Sequence, residues 1–188
     1  MTGRTLVAGV GNIFLHDDAF GVEVIRLLAG RPQWAGVEIA DFGIRGVHLV
    51  YELLNGCDVF VLVDAAQQGY EPGTVTVLEV EPEDAAPGVP VMDAHSLTPD
   101  SVFAMLSSMG GHLGRCLVVA CEPADLSPGM GLSDQVQAAL PHAVHAVEEI
   151  LGRTRKGRYA DAEQADAEQA DQGDAHRDGV RRGDPFTA

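Results

Sequence analysis

Two neighbouring carboxylates, Asp17 and Asp18, follow a short apolar run, Leu6 to Val10, and a Gly9-Val10-Gly11-Asn12 turn. Other acids recur in the same setting: Asp41 after Val37–Ala40, Asp64 after Val59–Val63, and Glu122 after Leu117–Cys121. The one loop imidazole beside this set is His95, in Asp93-Ala94-His95-Ser96. Two carboxylates and an imidazole that converge with open positions suit a divalent first-row metal. Such a site leaves coordination for a water or a substrate carbonyl, which is what metal-assisted hydrolysis requires. Each acid also has a plainer role. Acids at a strand-to-helix loop suit a helix N-terminus, whose free amides favour negative charge, and for Asp41 and Glu122 the helix-cap role is the favoured one. The residues alone leave open whether an ion belongs to this chain or arrives with a partner.

Gly9-x-Gly11 after a first strand also suggests a dinucleotide fold, but the third glycine position is Phe14. Asp17 and Asp18 would repel a pyrophosphate where that fold needs a neutral cradle. Of the other histidines, His48, His142 and His145 fall on helical patterns and are expected at the surface. His16 sits in the first loop and could support a ligand from behind. His112 and His176 cluster with nothing.

The elements that must position these groups alternate. After the first apolar run, Val22, Ile25 and Leu28 mark a helix. Val37–Ala40 is a short strand ending at Asp41-Phe42-Gly43, and Val47, Val50, Tyr51 and Leu54 mark a helix closed by Asn55-Gly56. Val59–Val63 is continuously apolar and β-branched, as a central strand covered on both faces would be. Thr74–Leu78 alternates like an edge strand, and the acidic, proline-rich stretch from Glu81 to Pro90 reads as a loop. Thr98-Pro99-Asp100 starts a helix running to about Met109. Leu117–Cys121 is another buried strand. Ser133 caps a last helix with Val136, Leu140, Val144, Val147 and Leu151 on one face. This alternation predicts an α/β three-layer sandwich around a mostly parallel sheet, with the strand order left open.

Residues 1–152 hold 20 acids and five basic residues, a net charge of −15 out of −16 for the chain. Nothing there could neutralise a row of phosphates, so nucleic acid is not expected as a partner; metal ions or a basic protein segment are better candidates. No apolar run reaches membrane-span length and no signal-peptide pattern is present. Cys57, Cys116 and Cys121 form no metal-type pair and read as buried reduced thiols of a cytoplasmic protein. From Arg153 to Ala188 the chain is low in complexity, with Asp-Ala-Glu-Gln-Ala twice over and almost no large apolar side chain. Such a segment cannot offset its own ordering entropy. The expected division is therefore a domain over 1–152 and a tail over 153–188 without chemistry.

Over roughly residues 5–150 the sequence resembles the hydrogenase maturation endopeptidases, which process the large subunit of nickel–iron hydrogenases. The matching pieces are Gly9-Val-Gly-Asn12 with Asp17-Asp18-x-x-Gly21; Asp41-Phe-Gly43 with Gly46; Val63-Asp64-Ala65 with Pro72-Gly73-Thr74; His95-Ser-Leu-Thr-Pro99; and Glu122-Pro123 with Gly131-Leu132-Ser133. Each alone is weak; in register and in order they are specific. Asp41-Phe42-Gly43 stands where many relatives carry Asp-Gly-Gly.

The resemblance implies a twisted five-stranded sheet between helices and a monomer acting in the cytoplasm. It implies one cut near the C-terminus of the large-subunit precursor after nickel insertion. By position it assigns Asp18, Asp64 and His95 as both the catalytic and the metal-binding residues. The nickel is then supplied by the precursor and is not resident. Activation of the attacking water by the metal or by a carboxylate stays open. Two other readings use the same residues: a chaperone that checks for nickel without cutting, and a hydrolase of small molecules.

Overall fold

The computed structural model describes residues 3–32, 34–80 and 99–174, beyond residue 154 by backbone alone. The expected loop from Glu81 to Pro90, the Thr98 cap and His95 lie outside the described residues. The elements run β1 (Thr5–Val10), a 3-10 turn (His16–Ala19), α1 (Phe20–Ala29), β2 (Val37–Gly43), α2 (Gly46–Leu53) and β3 (Cys57–Ala65). Then come β4 (Val75–Val80), α3 (Pro99–Ser108), β5 (Leu113–Cys121) and α4 (Asp134–Asp174).

The sheet has the order β2-β1-β3-β5-β4. The β1–β2, β1–β3 and β3–β5 pairs are parallel, and only β4 runs antiparallel, against β5. The alternating Thr74–Leu78 segment is thus the edge strand its pattern predicts. The fold class is the expected α/β sandwich with a mostly parallel five-stranded sheet.

Strand parity divides the core into two layers. Leu6, Ala8, Val10, Phe60, Leu62, Cys116, Val118 and Ala120 share a layer with Leu49, Val50 and Leu53 of α2 and Val102, Phe103 and Leu106 of α3. Phe60 and Phe103 meet edge to face there, with centroids 6.4 Å apart. Val7, Val61, Val63 and Val119 are equally buried but point the other way, toward α1. On α4, Val136, Leu140, Val144 and Val147 are all buried, as the helical pattern predicts. Arg31, just after α1, bonds Glu148 of α4 at 3.3 Å. The three cysteines are free and buried.

Two compact units are distinguished, Met1–Glu148 and Glu149–Ala188. In the second, the helical backbone continues to Asp174, through Ala, Glu and Gln residues of high helix propensity. Among the described residues no helix is long and apolar enough to cross a membrane.

Candidate active site

The chain leaves β1 to build β2 on one side, then crosses back to build β3 on the other. The carboxyl ends of β1 and β3 therefore flank the point where the strand order reverses, the usual ligand crevice of an open α/β sheet. Gly9 of β1 pairs in register with Val63 of β3. Asp64 is the next residue on β3, and the loop after β1 carries Asp18 to the same place.

Two glycines allow this approach. A Cβ on Gly21, at the start of α1, would lie 2.2 Å from the Val63 carbonyl oxygen and 2.3 Å from that of Val10. Only a bare backbone lets the helix sit directly over the β1–β3 seam. Gly11 has φ +130°, and a Cβ there would fall 1.7 Å from the Asp18 carbonyl oxygen. Between them, Asn12 closes an Asx turn: its side-chain oxygen accepts the Phe14 N–H at 3.0 Å. The Asn12 N–H in turn donates to Asp18 Oδ2 at 2.7 Å, which fixes the carboxylate. Its other oxygen has no protein donor among the described residues.

Asp64 is 8% exposed. Burial, then the neighbouring charge of Asp18, push its carboxyl up to about 8, against a hydrogen bond from the Ala65 backbone that favours ionisation. The two acids therefore form an interacting pair, in which Asp64 is the one pushed toward its protonated form. A divalent ion supplies the opposite charge that such a pair lacks. His95, the third expected ligand, lies outside the described residues. Among the described residues no group of three or more His, Cys, Asp or Glu side chains is placed to hold a metal ion. The donors brought together are Asp18 and Asp64, and two carboxylate oxygens suit a hard or borderline divalent cation.

Asp17, adjacent to Asp18, does something different. It is fully buried, and its carboxylate accepts the N–H groups of Ala124 at 2.8 Å, Asp125 at 2.9 Å and Ser133 at 2.6 Å, with the Ser133 hydroxyl at 2.9 Å. Burial alone would raise its pKa; the bonds from Ser133, Asp125 and Ala124 outweigh it and hold the group below its ordinary value. Sequence patterning could not separate these neighbours, because only the fold supplies those donors.

Two expectations are corrected. Glu122 does not cap a helix: its Oε2 accepts the backbone N–H groups of Gln68 at 2.7 Å and Tyr70 at 3.2 Å, so it braces the loop after β3. Asp41 does not cap α2 either, since no side chain caps the N-terminus of that helix. A bulge intervenes, with Gly9 facing Asp41 but Val10 facing Gly43. The skipped Phe42 turns into the core, and β2 ends at Gly43, within the expected Asp41-Phe42-Gly43 stop. Among the described residues His16 bonds neither Asp18 nor Asp64. Its Nδ1 lies 3.0 Å from the Gly131 carbonyl oxygen, and its backbone N–H donates to that of Gly129 at 3.1 Å, so it secures the 125–131 loop. His48, His112, His142 and His145 are exposed.

The three cysteines are poorly suited to act as nucleophiles, since all are buried. Burial, with smaller contributions from nearby charges, pushes Cys116 and Cys121 up to about 12 and raises Cys57 as well. In each, burial favours the neutral thiol over the thiolate.

The model of the HycI family, hydrogenase maturation protease, matches residues 22–150. The hydrogenase 2 maturation protease of Escherichia coli is 32% identical over 157 residues, covering 81% of this chain and 92% of that protein. The hydrogenase expression/formation protein HupD of Rhizobium leguminosarum is 31% identical over 150 residues, covering 79% and 74%. Among solved structures, the hydrogenase maturating endopeptidase HybD of E. coli superposes with TM-score 0.66 at 29% identity, over 80% of this chain and 93% of that one. A hydrogenase 2 maturation peptidase from a Thaumarchaeota archaeon gives 0.62 at 30% identity, over 79% and 98%. The crevice, the glycine-supported first loop and these likenesses lead to one conclusion: the chain belongs to the hydrogenase maturation protease family.

Proposed function

We propose that the chain removes the C-terminal extension of a nickel–iron hydrogenase large-subunit precursor, recognising nickel that the precursor already holds. The observation that carries this reading is the pair Asp18–Asp64 at the strand-order reversal, one acid fixed by a backbone N–H and the other buried, with burial and its neighbour's charge pushing its carboxyl up. Asp18, Asp64 and His95 complete the coordination of the incoming ion. As the cation docks, the Asp64 proton leaves, because opposite charge favours the ionised form. Docking places the scissile bond against the crevice. Water adds its oxygen to the carbonyl carbon, the C–N bond breaks, and the leaving nitrogen takes up a proton. In this aspartic-type step a carboxylate of the pair takes the proton of the attacking water and passes it to that nitrogen. The chain acts as a monomer in the cytoplasm in this reading.

The test incubates the chain with nickel-loaded and nickel-free precursor and follows mass. The expected result is one C-terminal fragment released from the loaded form alone. Asp18→Asn, Asp64→Asn and His95→Ala should each slow release by about 100-fold or more. Wild-type rates in all three variants would remove the site assignment. An intact precursor held in a stable complex would indicate a chaperone instead.

A further inference from the structure

A cleft of about 420 Å³ opens between the 11–14 loop and the 41–45 loop. Asn12 is part of its wall, and the Asn12 N–H holds the Asp18 carboxylate, so the cleft adjoins the proposed site directly. Two large apolar side chains in its wall are open to water, Phe14 at 60% and Ile44 at 56% exposure. They belong to the two loops that face each other across it. An apolar pair of this kind beside a catalytic crevice suits a side chain of an extended peptide.

Charge supplies the second half of the argument. Residues 1–152 carry only five basic side chains against 20 acids, yet two of the five, Arg26 and Arg45, line this one cleft. Arg26 is already paired with Glu23. Arg45 has no carboxylate partner among the described residues. Its Nε donates to the Phe42 carbonyl oxygen at 3.1 Å and its Nη2 to that of Asp41. The guanidinium is thus held by two backbone carbonyls while its Nη1 bonds to nothing among the described residues. A fixed, unspent guanidinium is preorganised for a carboxylate. Elsewhere the excess negative charge of this unit repels one.

We propose that this cleft seats the precursor segment beside the cut bond. An apolar side chain lies between Phe14 and Ile44, and an acidic residue close to it in sequence pairs with Arg45. Asp41, also in the wall, repels an acid set in the wrong register. The proposal rests on the function proposed above, and makes Arg45 and Ile44 determinants of precursor choice.

The experiment compares cleavage kinetics on nickel-loaded precursor. Arg45→Glu should raise KM about tenfold with kcat changed less than about twofold, as loss of a docking pair does. Ile44→Asp should act in the same direction. Because Arg45 also ties the 41–45 loop, the deciding measurement is a charge exchange. Acidic residues flanking the cut are changed singly to Lys, and one such precursor should restore the KM of Arg45→Glu while raising that of the wild type. Equal KM for wild type and Arg45→Glu overturns the proposal. So does a raised KM that no precursor substitution restores. If the wild-type chain leaves loaded precursor uncut, the proposed function fails separately, and binding of that same precursor to wild type and Arg45→Glu still decides the docking. Self-association abolished by Arg45→Glu would assign the cleft to a second copy and overturn the proposal as well.

Discussion

Asp17 and Ser133 stand 116 positions apart, and both oxygens of the Asp17 carboxylate end on Ser133. One takes the backbone N–H at 2.6 Å, the other the hydroxyl at 2.9 Å. The loop after β1 is thereby clamped to the turn that starts α4. Its neighbour Asp18 is left to face Asp64. Two consecutive acids thus differ in their partners: Asp17 holds the loop to Ser133, while Asp18 accepts the Asn12 N–H and places its charge beside Asp64.

Asp17→Ala should therefore cost stability, by about 3 kcal/mol, since it strands several buried donors at once. Asp18→Asn should leave stability nearly unchanged, because an amide oxygen can still accept from Asn12. Urea unfolding of the two variants separates the roles. The Asp17 contribution also has a pH signature. Its pKa is lowered in the folded chain, so its stabilisation is present above the unfolded value of 3.8 and fades as pH falls through the folded one. The gap between wild type and Asp17→Ala should close in acid.

Asp64 has the opposite sign. Its folded pKa is raised from 3.8 to about 8, so between those values the native state holds a proton that the unfolded chain has released. Stability should fall with rising pH across that window and level off above it. Asp64→Asn removes the titration. Melting curves should give a variant that gains on the wild type from pH 4 to 8, with the largest gain at the alkaline end. A constant difference across that range would show that Asp64 ionises normally.

Gly21→Ala should be among the most damaging small substitutions in the chain. The new methyl would lie 2.2 Å and 2.3 Å from two strand carbonyl oxygens, neither of which can move without breaking the β1–β3 seam. A loss of about 3 kcal/mol or failure to fold is expected. Thermal melting set beside Gly152→Ala, which meets nothing within 4 Å, is the control. In a helix that second change should be neutral or stabilising by up to about 1 kcal/mol.

We place all the chemistry before Arg153. A chain ending at Gly152 should cut nickel-loaded precursor at the rate of the full chain. Loss of cutting by a truncated chain that still melts cooperatively would assign a role to the 153–188 segment.

The local pattern of residues was enough for element type. Apolar runs such as Val59–Val63, the alternation of Thr74–Leu78 and the glycine stops mark strands, edge and turns, because these depend on neighbours a few positions away. The family was legible for the same reason, since its motifs are short and sit at strand ends. The partition of labour among acids was not. Asp17, Asp18, Asp41, Asp64 and Glu122 look alike in sequence, each an acid after a strand. Their roles depend on which donors the β2-β1-β3-β5-β4 order brings within hydrogen-bond reach. Three backbone N–H groups and a hydroxyl make Asp17 a clamp, two N–H groups make Glu122 a brace, and burial beside another charge makes Asp64 an acid poised near neutrality. A bulge opposite Gly9 and Val10, invisible in composition, turns Phe42 inward and leaves Ile44 and Arg45 on the cleft. Hydrogen-bond supply and desolvation are properties of the assembled chain, and only the tertiary structure could assign them.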